Sequence, residues 1–168
     1  VCSSDLFEED LGDLNYTGIE FFGIDSRGGN DVINVQGSPY NLYVDGGDGD
    51  DVINVSSDAG DVEGELNGNM LGIVGLVIDG GTGNNRLNIS YESGLQRNVV
   101  ISQNKISGIT EKPIFYTSEG GNFFGDNLSE GIQIEGSRLG NDKYNILGLD
   151  VEHRMRIQAY DGIDRFTV

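Results

Sequence analysis

The densest chemistry in this sequence is a crowd of carboxylates. Asp45, Asp48, Asp50 and Asp51 fall within one stretch, Asp45-Gly46-Gly47-Asp48-Gly49-Asp50-Asp51. Four like charges held that close repel one another unless a cation sits among them. A hard cation suits such a place, because it takes oxygen ligands from both carboxylates and backbone carbonyls. Glycine helps by letting the turn curl until its carbonyls point inward. The plainer reading is that aspartate and glycine are good turn formers: Asp hydrogen-bonds its own backbone and tolerates left-handed conformations.

The stretch is not alone. Five segments share a Gly-rich turn, then Asp or Asn, then an alternating apolar strand. They begin at Ser26, Gly46, Gly80, Ser137 and Ala159, and so lie 20, 34, 57 and 22 residues apart. A longer repeat is laid over them. Ser26–Gly37 and Ser137–Gly148 agree at seven of twelve positions, at an offset of 111. Gly18-Ile19-Glu20 and Gly131-Ile132-Gln133 extend the match at an offset of 113. Internal repetition of this kind points to a repeat architecture.

Gly46–Asn54 fits the nonapeptide Gly-Gly-x-Gly-x-Asp-x-apolar-x at every fixed position. It resembles the calcium-binding repeats of RTX (haemolysin-type) proteins, and the wider pattern is similar to large repetitive bacterial surface proteins with Gly-Asn-Asp turns. The resemblance implies Ca²⁺ as cofactor, bound between adjacent turns. Only Asp31 with Asp51, and Asp142 with Asp164, have the one-coil spacing this requires. The implied ligand set is Gly29, Asn30 and Asp31 with Gly47, Asp48, Gly49 and Asp51, and Gly140 and Asp142 with Asp161 and Asp164. At the third turn Asn85 replaces the aspartate, and that turn is expected to be only a turn.

The charge pattern bears on the same question. Residues 1–85 hold 17 acids and one base (Arg27), whereas residues 86–168 hold 11 acids and nine bases. A net −16 over the first half opposes compaction unless it is solvated or neutralised. No basic patch speaks for nucleic acid, and no apolar run approaches the ~20 residues of a membrane span.

Glycine makes up 27 of 168 residues and proline only two. Apolar runs fall about every ten residues and helical periodicity is absent. The expectation is an all-β chain: a parallel β-solenoid (β-helix or β-roll-like) with Gly/Asp-rich turns, or alternatively a β-sandwich. Ile33/Val35 and Ile53/Val55 are expected to point inward. Asn34, Asn54, Asn88 and Asn145 recur directly after the central apolar residue, either as a stacked asparagine ladder or as solvent-facing polars. Phe21, Phe22, Phe115, Tyr116, Phe123 and Phe124 are expected to fill the core. Residues 7–90 read as one repeat unit, 91–130 as a divergent segment and 131–168 as the truncated start of a second unit. Residues 1–6 look like a translated sequencing-library adapter.

No nucleophile motif, P-loop or dinucleotide fingerprint occurs. His153, the only histidine, is expected on a surface turn. These features point away from an enzyme. The expected function is a structural or adhesive segment of a secreted or cell-surface protein, with calcium ions and surface glycans or other surface proteins as partners. The alternative is a carbohydrate-binding module or a β-helix enzyme acting on polysaccharide, a lyase or epimerase, using Arg138, Lys143, Arg154 and Arg156.

Overall fold

The computed structural model describes residues 21–61, 66–124, 130–150 and 153–168. Residues 1–20, including the adapter-like segment and the Gly18-Ile19-Glu20 match, lie outside them. The described chain is all-β. Its strands are β1 (Phe21–Asp25), β2 (Val32–Val35), β3 (Ser38–Asp45), β4 (Val52–Val55), β5 (Ile73–Asp79), β6 (Gly83–Asn84), β7 (Arg86–Ser90), β8 (Asn98–Ser102), β9 (Lys105–Ser107), β10 (Ile114–Thr117), β11 (Gly121–Asn122), β12 (Ile132–Glu135), β13 (Lys143–Ile146), β14 (Met155–Gln158) and β15 (Arg165–Thr167).

The chain passes back and forth between two sheets. One has eight strands in the order β1-β3-β5-β10-β9-β8-β13-β15, the other five in the order β14-β12-β7-β4-β2. Within each sheet, strands from successive passes pair in parallel and largely in register: Ile33 lies on Ile53 and Ile53 on Leu87. Such pairing differs from the antiparallel sheets of a β-sandwich. One stretch reverses the advance. After β7 the chain forms β8, turns back antiparallel as β9, and again as β10 beside β5. The strands between 98 and 117 are therefore woven into the eight-stranded sheet, and β11 pairs with β6 in a separate two-stranded sheet.

Period-2 alternation buries every second residue of the strands. Ile33, Val35, Ile53, Val55, Leu87 and Ile89 of one sheet meet Leu42, Val44, Leu76 and Ile78 of the other in one core. Around the reversal the core residues become larger: Tyr91, Tyr116, Phe123 and Tyr144 are all fully buried. Four of the aromatics expected in the core are not there. Phe21, Phe22, Phe115 and Phe124 are 63%, 42%, 42% and 41% exposed. Phe115 shows the reason: its neighbours Ile114 and Tyr116 point inward, so the pleat turns Phe115 out.

The 111-residue repeat has an unexpected placement. β2 and its sequence counterpart β13 lie in different sheets. One turn plus one strand is half of a full pass, and either sheet can receive it.

Candidate functional site: two stacks of glycine turns

The alternation between sheets creates two columns of turns on opposite edges of the molecule. Where the chain leaves the eight-stranded sheet for the five-stranded one, turns 26–31, 46–51, 80–85 and 118–122 stack upon each other. Where it returns, segment 91–97 and turns 137–142 and 159–164 stack. The Asp31 and Asp51 turns thus share one column, and the Asp142 and Asp164 turns share the other.

Close stacking requires glycine. A Cβ on Gly47 would lie 1.9 Å from the Arg27 carbonyl oxygen, and one on Gly81 would lie 1.9 Å from that of Gly47. The φ angles there are +83° and +71°, in the left-handed region. Arg27 holds the equivalent place in the first turn with φ of 72°, without the glycine that this conformation favours. Backbone bonds join the levels: the amides of Asp48 and Thr82 donate to the carbonyls of Arg27 (2.5 Å) and Gly47 (2.8 Å).

The last residue of each turn extends the ladder through its side chain. The Asp31 amide donates to Asp51 Oδ1 (2.8 Å), and the Asp51 amide to Asn85 Oδ1 (2.8 Å). In the other column the Arg97 amide donates to Asp142 Oδ1 (2.5 Å) and the Asp142 amide to Asp164 Oδ1 (2.7 Å). The preceding turn residue bonds in the opposite sense. The amides of Asp50 and Ile163 donate to the side chains of Asn30 (2.9 Å) and Asn141 (2.7 Å).

The second oxygen or nitrogen of these side chains occupies a common position, close over the glycine that opens the turn. Cβ positions built on Gly46, Gly80 and Gly136 would lie 2.6 Å from Asp51 Oδ2, 2.9 Å from Asn85 Nδ2 and 2.9 Å from Asp142 Oδ2. Asn85 Nδ2 donates to the carbonyls of Gly81 (3.3 Å) and Thr82 (3.0 Å) and to Ser118 Oγ (3.0 Å). Asp142 Oδ2 accepts from the Ser137 amide (2.9 Å) and contacts the Tyr91 and Tyr144 hydroxyls (3.2 and 3.3 Å), which lie 2.7 Å apart. Asp51 Oδ2 and Asp31 Oδ2 are buried without a hydrogen-bond partner. Burial pushes the Asp51 carboxyl above its ordinary range. The Asp31 amide opposes that shift, and the charges of Asp31, Asp50 and Asp45 add to it.

The other expected ligands sit in these columns in different roles. Asp48 is exposed and its Oδ1 accepts from Thr82 Oγ1 (3.0 Å). Gly29, Gly49 and Gly162 have φ of +126°, +134° and +120°. Gly140 contributes the carbonyl against which Gly162 packs, and Asp161 is exposed. A cleft of about 330 Å³ opens beside the second and third turns, lined by Asp50, Asp51, Asn84, Asn85, Phe124 and Glu130 among others. Among the described residues, no three His, Cys, Asp or Glu side chains gather as a metal cage.

Sequence reasoning missed the 118–122 level, whose Ser-Glu-Gly-Gly-Asn pattern is one residue short of the motif. It also missed the Tyr91–Tyr144 pair, which carries no local signal. Asparagine stacking is present for three residues: Asn54 Nδ2 donates to Asn34 Oδ1 (2.9 Å) and Asn88 Nδ2 to Asn54 Oδ1 (2.8 Å). Asn145 lies in the other sheet, opposite Val100 and Thr167. His153 is half-buried rather than set on an open turn. Its Nδ1 accepts from the Phe123 amide (3.3 Å), and its ring packs against Tyr116 and Phe123.

Three of the four basic residues considered for a groove contact neighbouring side chains. Arg138 pairs with Glu92 and lies over the Tyr160 ring, Arg154 lies over Phe124, and Arg156 donates to Gln158. Lys143 is exposed on β13. No protein-family model, curated protein or solved structure matches the chain.

Proposed function

We propose that this chain is a segment of a parallel β-solenoid in a secreted or cell-surface protein. Its role is structural or adhesive, with surface glycans or neighbouring surface proteins as partners. Ca²⁺ held in the 26–31 and 46–51 turns stabilises its fold, in the manner of RTX-like repeats.

The observation that carries the reading is the pair of buried carboxylate oxygens, Asp31 Oδ2 and Asp51 Oδ2, that lack a hydrogen-bond donor. A buried carboxylate oxygen without a donor is costly, and a cation relieves it. Asp31 and Asp51 would hold the ion together with carbonyl oxygens of the Gly29–Asn30 and Gly47–Asp48–Gly49 segments. The neighbouring cleft offers a path from solvent. In the 137–142 turn the same carboxylate position is filled by hydrogen donors, so the reading centres on the first column.

Extracellular calcium modules bind at about 10⁻⁴–10⁻³ M. At one hundred times Kd, binding adds about 2.7 kcal/mol, a rise in Tm of roughly 5–10 °C for a chain of this size. Thermal melts in EDTA and in 10 mM Ca²⁺ test this. An unchanged Tm overturns the calcium reading.

A further inference from the structure

We propose that Asn85 is a built-in replacement for the cation, and that the Tyr91–Tyr144 hydroxyl pair is a second one. The cation requirement of the fold is thereby confined to the turns 26–31 and 46–51. The inference rests on the calcium reading and adds to it where along the stack the ion is needed.

The argument compares one position in three turns. In each, Oδ1 accepts an amide from the preceding level, so the remaining terminal atom has no freedom to go elsewhere. That atom lies over Gly46, Gly80 or Gly136. In the 80–85 turn it is an amide nitrogen, and its hydrogens reach the carbonyls of Gly81 and Thr82. The in-register stacking places Gly47 and Asp48 where Gly81 and Thr82 stand one level on. Asp51 therefore brings an acceptor to a place whose protein neighbours are acceptors. Positive charge is what turns such a cluster of oxygens from repulsive to attractive, and Asn85 supplies it in part through the positive end of its own amide dipole.

The 137–142 turn solves the problem differently. There the carboxylate is kept: the Ser137 amide donates to it, and the tyrosine hydroxyls, joined to each other at 2.7 Å, have one further hydrogen to give it. Both tyrosines are fully buried and their hydroxyls are held far above the ordinary range, chiefly by burial, so they remain donors at any physiological pH.

Two substitutions test the assignment, with Ca²⁺ as probe and Mg²⁺ as control. Bound calcium is counted by equilibrium dialysis. Hydrogen exchange of the turns is followed in Ca²⁺ and in EDTA. In the parent chain, EDTA should speed exchange at least tenfold in 26–55 and leave 86–102 and 132–146 unchanged. Asn85→Asp should bind one more calcium, and exchange in 80–90 should become EDTA-sensitive. Asp51→Asn should bind one fewer, yet melt in EDTA at or above the parent's EDTA Tm, because the new amide supplies the missing hydrogens. Calcium binding by the parent with an unchanged count in Asn85→Asp, or Asp51→Asn melting below the parent in EDTA, overturns the inference and leaves the calcium reading standing. A parent chain that binds no calcium overturns both.

Discussion

Replacing Gly81 with alanine tests how tightly the turns are stacked. The new Cβ would lie 1.9 Å from the Gly47 carbonyl oxygen, against ordinary contact from 3.4 Å, so the levels must part by about 1.5 Å. That is enough to break the Thr82 amide bond to the same carbonyl, now 2.8 Å long. A lost bond that leaves a buried group unpaired costs about 1–3 kcal/mol. Holding alanine at φ of +71° costs about 1–2 kcal/mol more. The two together reach roughly 3–5 kcal/mol, a large share of the 5–15 kcal/mol typical of a domain. Gly72 is the matched control: its φ is +88°, and a Cβ there meets nothing within 4 Å. Gly72→Ala should lose only the conformational part, about 1–2 kcal/mol. Urea unfolding of both variants, in constant Ca²⁺, reads the difference through the midpoint at fixed m. Equal losses at the two positions would show that the levels do not bear on each other as described.

Two further outcomes follow from the same geometry. The Asp51 and Glu135 carboxyls are both raised, each chiefly by burial, with nearby carboxylates adding to the shift. A raised carboxyl keeps its proton in the folded state after the unfolded chain has lost its own. Its stabilising effect is thus complete below about pH 4 and disappears as pH rises through the raised value. In EDTA, Tm should fall as pH rises above 4 towards neutrality. Asp51→Asn and Glu135→Gln should each flatten that slope, and a flat profile in the parent chain would contradict the burial of these groups. Asn54→Ala removes both side-chain bonds of the asparagine ladder and should cost about 1–2 kcal/mol by urea unfolding, with Asn34→Ala costing about half of that; equal losses would mean the central amide is not shared between two neighbours.

The strands were legible because period-2 burial leaves a direct trace. Val52–Val55, Asn98–Ser102 and Met155–Gln158 each coincide with an apolar run of the sequence. The turns were legible because left-handed φ demands glycine at positions such as 47, 49, 81 and 83. What sequence could not give is which turn rests on which. Asp31 and Asp142 share a motif, yet their turns belong to opposite columns, since turn plus strand is a unit that either sheet accepts. Nor does the motif reveal what lies over the terminal atom of its last residue. Tyr91 and Tyr144 reach Asp142 from separations of 51 and 2 residues, and only the reversal through β8, β9 and β10 brings them together.

The uneven charge of the chain follows the same division. Asp25, Asp45 and Asp79 stand in register at the ends of β1, β3 and β5, at the entrance to the first column. Neighbouring strands lie about 4.8 Å apart, so each carboxylate has another within reach of direct repulsion. Two of them are partly engaged: the Gly47 and Gly81 amides donate to Asp45 Oδ1 (3.1 Å) and Asp79 Oδ1 (2.9 Å). Neither of the ion pairs among the described residues, Arg86–Glu130 and Arg138–Glu92, includes an aspartate between 25 and 85. The first column has Arg27 in its first turn and Arg86 directly after its third, whereas the second has Arg97, Arg138, Lys143 and Arg165 in or beside its turns and donors already on Asp142. Carboxylates in the two columns therefore meet opposite conditions. On one edge hydrogen donors already meet the buried Asp142 carboxylate, and on the other Asp31 Oδ2 and Asp51 Oδ2 have none.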